Sequence, residues 1–440
     1  MQKPLASLDG DQPVARFFWR RILIVIFSLV LAPPARADGT NLAGEVRLLR
    51  EQNALLQQQV KQQGEQIRAL SEQFHELQSS APADDDRPSP PANRFSLGQV
   101  HLGAEGGVGY ADTGPEGFAP DGKFRVDEAR LSLESPIWDD VYFYGEIYLA
   151  TQEMSDMDAK MGELYVEFEN LSKLWRQDNQ LNARLGQMDI PFGEEYLTRH
   201  AIDDPLITHS IVDYWGATPG IELYGNAGKF SYVIAAQNGA GDGNGAGGDK
   251  AVAGRIGFDP DEHWHFSASG MRTGDLRADQ LSAVWFGSGF FRSIGSADTT
   301  RFHVEAAELD ATARWRSGHV GVLGGWARYH DNDSGGGNTR NIYYYSAEAV
   351  QNLPGKFYAA TRWSQVLCRD GIPVVGYGNF GDFLYGPLTT DLWRLSLGLG
   401  YRFSDQLVLK LEYSFEGGEE LGGGSRQHEN FLGTEAAFKF

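Results

Sequence analysis

The chain has 440 residues, a net charge of -21, 54 glycines and a single cysteine. So acidic a balance argues against nucleic acid as a partner, since phosphate binding needs clustered cations. One cysteine excludes an intramolecular disulfide and a cysteine zinc cluster. High glycine with 12% aromatics suits a chain of many turns and strands, a composition shared by membrane barrels and secreted sandwiches.

The first element, residues 1–37, reads as a secretory signal peptide. Arg16, Arg20 and Arg21 precede an apolar run from Ile22 to Ala32, and Ala35-Arg36-Ala37 fits the small-residue cleavage rule. The apolar run is well short of the roughly 20 residues that span a bilayer as a helix, so a membrane anchor is the weaker reading. Residues 38–77 predict a coiled coil, with a seam at Val46, Leu49, Asn53, Leu56, Val60, Gln63, Ile67, Leu70, Phe74 and Leu77. A coiled coil needs partners, so a homo-oligomer is expected. Residues 78–93 are rich in Pro, Ser and Asp and read as a linker.

From Arg94 the heptads give way to alternating segments separated by Gly, Asp and Asn. Leu407, Leu409, Leu411, Tyr413 and Phe415 share one face of a strand, with Lys410, Glu412, Ser414 and Glu416 on the other. Charges and glycines on the polar faces, and aromatics closing the apolar ones, predict an all-β transmembrane barrel over residues 94–440, with about 16 antiparallel strands of about 22 residues each including connections. A secreted β-rich enzyme or adhesin is the water-soluble alternative.

Leu185–Tyr196 (LGQMDIPFGEEY), Gly216–Gly225 (GATPGIELYG), Asp249–Pro260 (DKAVAGRIGFDP) and Phe124–Ser135 (FRVDEARLSLES) together resemble the phosphate-selective porin O and P family, over roughly residues 94–440. The most specific block is G-Q-x-x-x-P-F-G at Gly186–Gly193. The resemblance implies a sixteen-stranded outer-membrane barrel, usually a trimer, that passes ions and small solutes by passive diffusion and is not an enzyme. It also implies anion or phosphate selectivity carried by basic residues. The residues themselves leave selectivity open.

By alternation the inward candidates are Arg130, Arg184, Arg255, Arg314, Arg316, Arg362, Arg394, Arg402 and Lys410, with Glu146, Glu167, Glu169 and Glu412 among the acids. Such a mixed lining fits a general, mildly selective pore better than a phosphate trap. Glu194, Glu195, Arg199, His200, Asp203 and Asp204 lie in a segment too polar for a lipid-facing strand and too long for a turn. That segment is either an infolded constriction or a solvated outer loop.

No metal or cofactor site is expected: His263 and His265 share a strand face without an evident third ligand. Cys368 reads as a loop residue or a buried thiol. The last segment, FLGTEAAFKF, predicts a strand that pairs with the first to close the barrel, with terminal Phe440 as a signal to the outer-membrane assembly machinery. A different class of role, a structural tether from outer membrane to cell wall through the coiled coil, is the alternative.

Overall fold

The computed structural model describes residues 100–150, 160–238, 250–277, 285–286, 289–290, 301–332, 337–379 and 386–440. The predicted signal peptide, coiled-coil seam and linker lie outside the described residues. Among those described, no helix is long and apolar enough to cross a membrane, which says nothing about crossing by strands.

Sixteen strands form the wall. In chain order they are β1 (His101–Thr113), β2 (Lys123–Trp138), β3 (Val141–Ala150), β4 (Lys160–Phe168), β5 (Asn182–Asp189), β6 (Ala217–Ala227), β7 (Phe230–Asn238) and β8 (Lys250–Phe258). They continue with β9 (Trp264–Arg272), β10 (Arg301–Trp315), β11 (Gly318–Asp331), β12 (Arg340–Asn352), β13 (Phe357–Ile372), β14 (Thr389–Ser404), β15 (Leu407–Glu420) and β16 (Phe431–Lys439). Each pairs antiparallel with the next, and β16 pairs with β1 from Glu105↔Lys439 to Thr113↔Phe431. Beyond the last pair, Ala104 and Phe440 exchange two backbone hydrogen bonds of 2.9 Å. The sheet therefore has no free edge along this seam, and the chain terminus is held by pairing.

The burial pattern runs opposite to that of a water-soluble core. On β15, Leu407, Leu409, Leu411, Tyr413 and Phe415 are exposed on the outside, whereas Val408, Lys410, Glu412, Ser414 and Glu416 are buried in the interior. A period-2 sequence forces this separation of faces once the register is set. Aromatic pairs flank the apolar outer band. Phe230–Phe258 and Phe357–Tyr401 lie toward one end, Tyr110–Phe124 toward the other.

The two ends differ. At one, strands are joined by tight links such as 139–140, 228–229, 316–317 and 405–406, with Asp140 and Gly228 in left-handed conformation. At the other end connections are longer, and the longest fully described one, residues 190–216, follows β5. The interior contains apolar clusters as well as charges. Phe302, Val304 and Ala306 of β10, Ile342 and Tyr344 of β12 and Val366 and Cys368 of β13 pack with Ile190, Phe192, Ile211, Val212 and Tyr214 of the long connection. Cys368 is thus a buried strand residue rather than a loop residue.

Candidate functional site

The connection 190–216 leaves the wall at β5 and rejoins it at β6, yet its middle bonds to β13, β14 and β15, halfway round the ring. It therefore crosses the barrel interior. Gly193 begins the crossing at φ 72, a conformation that favours glycine. Its N–H donates to Ser269 Oγ at 3.0 Å, and its carbonyl accepts from Arg255 Nη1 at 2.9 Å.

On the far side the contacts are ionic and dense. Glu412, fully buried, accepts from the N–H groups of Ile207 and Thr208 at 2.6 and 3.0 Å and from Thr208 Oγ1 at 2.7 Å. Arg362 donates to the Thr208 carbonyl at 2.7 Å while bridging Asp204 at 3.0 Å and Glu348 at 2.6 Å. Arg394 donates to the His209 carbonyl at 3.0 Å, pairs with Glu416 at 2.6 Å and lies 3.5 Å from the Tyr377 ring centroid. Lys410 reaches the carbonyls of Ala201 and Leu206 and pairs with Glu435 at 2.9 Å. Three cations and their carboxylates thus satisfy backbone groups that a crossing segment would otherwise bury unpaired.

Steric fit completes the dock. A Cβ at Gly398 would press on Leu206 Cδ2, so the glycine of β14 leaves room for the segment's leucine. Leu206, Ile202 and Ala201 join Tyr358, Ala360 and Val408 in a second buried cluster. Burial raises the Asp204 carboxyl above its usual range, against the pull of Arg362. Tyr196, near the start of the segment, is pushed up to about 12 chiefly by burial, with the Arg255 guanidinium 5.2 Å from its ring opposing.

The wall at β1 to β5 is different. A cavity of about 480 Å³ runs along β1 to β5, from Gln406, Lys439 and Phe440 at the tight-turn end to Asp189 and His200. Its charged lining comprises Glu105, Glu146, Glu163 and Asp189 against Arg130, Lys439 and His200. Arg130 is held between Glu105 and Glu146, the latter at 2.9 Å, and His200 Nδ1 approaches Glu105 at 3.0 Å.

Most of the other residues singled out by alternation are placed as follows. Arg184 bridges Glu167 at 3.3 Å and Glu222 at 3.2 Å. Arg402 lies 5.0 Å from the Tyr358 ring centroid. Arg314 is exposed near the tight-turn end of β10. Arg316 and Glu169 fall outside the strands, in the connections after β10 and β4, where the two-residue period has ended. Of the segment residues, Glu195 accepts from Ser210 N–H at 2.8 Å, Arg199 pairs with Asp213 at 2.9 Å and Asp203 faces Lys439 at 3.5 Å. Glu194 meets His265 at 3.1 Å and Arg255 at 3.4 Å. Glu105, Glu163 and Asp189 line the cavity beyond the candidates that alternation singles out, and Glu105 shares the phase of inward Gly103 and Gly107.

No protein-family model matches the chain, and no curated protein does. Solved structures share the fold. The outer membrane protein OmpT of Vibrio cholerae superposes with a TM-score of 0.53 at 11% identity, covering 78% of this chain and 97% of that one. The outer membrane channel DcaP of Acinetobacter baumannii gives 0.51 at 13% identity, covering 79% and 100%. At these identities the likeness shows the barrel fold and does not single out the phosphate-selective O and P family.

Proposed function

We propose that the chain is an outer-membrane channel for passive diffusion of ions and small solutes, and that solutes pass along the β1–β5 wall. The observation that carries this reading is the segment 190–216, bound across the interior to β13–β15 while a charged cavity remains beside β1–β5. Such a segment narrows a lumen without closing it. The inverted burial of β15 supports the placement in lipid, since an exposed apolar band has no stable position in water. Likeness to barrels whose names identify them as outer-membrane proteins supports it too.

Selectivity follows from the lining. The arginines of the far wall are engaged with carboxylates and with the segment's carbonyls, so little cationic charge remains to draw phosphate. Along the cavity the carboxylates Glu105, Glu146, Glu163 and Asp189 outnumber Arg130 and Lys439. The channel is therefore weakly cation-preferring, and the anion- or phosphate-selective reading is its competitor. Reconstitution in planar bilayers tests both: stepwise conductance with a reversal potential of cation sign in a KCl gradient is expected. Absence of steps overturns the channel, and an anion sign overturns the selectivity.

Residues 38–77 join copies, most simply as a trimer, in the periplasm, a reading supported by their heptad spacing alone. A cell-wall tether is the alternative for that segment. Removing residues 40–80 leaves conductance intact in either case, and loss of envelope integrity marks the tether. Phe440 serves assembly. Its deletion removes the two backbone bonds to Ala104 and is expected to lower membrane insertion, read by fractionation, more than the conductance of what assembles.

A further inference from the structure

On β10, Phe302, Val304 and Ala306 are buried in the interior, so His303 and Glu305 face outward, toward the long-loop end and beyond Leu309, which is 67% exposed. On β11, His330 stands directly opposite His303 in the register. The two imidazoles are stacked, with centroids 4.5 Å apart and planes at 11°. His330 Nε2 approaches one Glu305 carboxylate oxygen at 3.2 Å and His303 Nε2 approaches the other at 3.9 Å.

We propose that His303, Glu305 and His330 form a site for a divalent transition-metal ion of the zinc class on the outer face of the barrel. Their three ligand atoms lie within 4.8 Å of one another. All three side chains are partly exposed, so rotation of side chains alone can draw them onto one ion.

The surroundings select this chemistry. His303 Nδ1 is 2.7 Å from Asn332 Oδ1, and Asn332 Nδ2 donates to Asp275 at 2.6 Å. The amide oxygen therefore faces the ring, Nδ1 carries the proton, and the Nε2 lone pair is left toward Glu305. An outer partner that fixes the tautomer in this way is a common support of histidine ligands. Two imidazoles and one carboxylate suit zinc, nickel or copper, whereas calcium and magnesium prefer oxygen ligands. A fourth position remains for water or an anionic group.

Arg272 and Arg328 stand opposite Glu305 on the two neighbouring strands. They supply the competing arrangement, in which Glu305 serves only as their counter-charge.

The experiment titrates the full chain, purified in detergent micelles, with Co2+ as a spectroscopic probe and Zn2+ as competitor. One saturable Co2+ site displaced by Zn2+ is expected, lost in His330→Ala and in His303→Gln. Asn332→Ala is expected to weaken it about ten- to a hundredfold. Heat-dependent gel migration reports whether each variant folds, and two independent ligand variants guard against a folding defect in one. Absence of saturable binding, or binding that persists in both folded ligand variants, overturns the site. The readout is independent of conductance, so it stands or falls separately from the channel.

Discussion

Two stretches of the interior wall, β13–β15 and β1–β5, carry similar residue types to different ends. On β13–β15, Arg362, Arg394 and Lys410 are buried and each is tied both to a carboxylate and to a carbonyl of the crossing segment. On β1–β5, Arg130 is tied only to carboxylates, and they face a cavity. A charged side chain in a barrel interior is thus no sign by itself of contact with a permeating solute. What decides is whether a backbone segment takes up its hydrogen bonds. The far wall holds most of the segment's backbone, while on the near wall Glu128 takes the Ala201 N–H at 2.9 Å and the surface around Arg130 faces the cavity.

The sharpest way to break this contrast is at the dock. Arg394→Ala leaves Glu416 and the His209 carbonyl buried without their partner, a loss of about 3–5 kcal/mol. The loss is expected as an earlier unfolding transition on heat-dependent gel migration in detergent, together with a noisier current from a loosened segment. An intermediate effect is expected from Gly398→Val. Its side chain meets Leu206, which overpacks the dock by about 1–3 kcal/mol and pushes the segment toward the cavity, lowering unitary conductance. The smallest is Lys439→Ala, on β16 beside the cavity. Lys439 and Asp203 are both substantially exposed, so stability changes by only about 0–1 kcal/mol. Reversal potential nevertheless moves toward cations, because one positive charge leaves the cavity.

The wall was legible in the sequence because a strand's two faces are written in adjacent residues. Leu407 to Glu416 alone give face, inward charge and strand length, and the terminal pairing of Phe440 follows the same logic. The dock was not legible to the same degree. Glu412 and Thr208, or Arg394 and His209, lie about two hundred residues apart in the chain. Polarity marked Glu194 to Asp213 as unusual without choosing between an inward and an outward course. The interior apolar cluster is hidden by mixing on one face: Phe302, Val304 and Ala306 share the phase of Glu308 and Asp310, so apolar and acidic residues stand on one inner face. Arg316 and Glu169 show the converse, a count carried past the strand end. The His303–His330 pairing depends on register across a hairpin, which period-2 spacing leaves unspecified.

The most direct test of the contrast places a single reactive thiol on either wall, after Cys368→Ala. Ser132 lines the cavity, whereas Ser414 is fully buried beside Glu412 behind the crossing segment. A small, charged, membrane-impermeant thiol reagent is added to single channels in planar bilayers. Ser132→Cys is expected to lose current stepwise on modification while Ser414→Cys keeps it. Block at Ser414→Cys with none at Ser132→Cys would put the permeation route along β13–β15 and overturn the route along β1–β5.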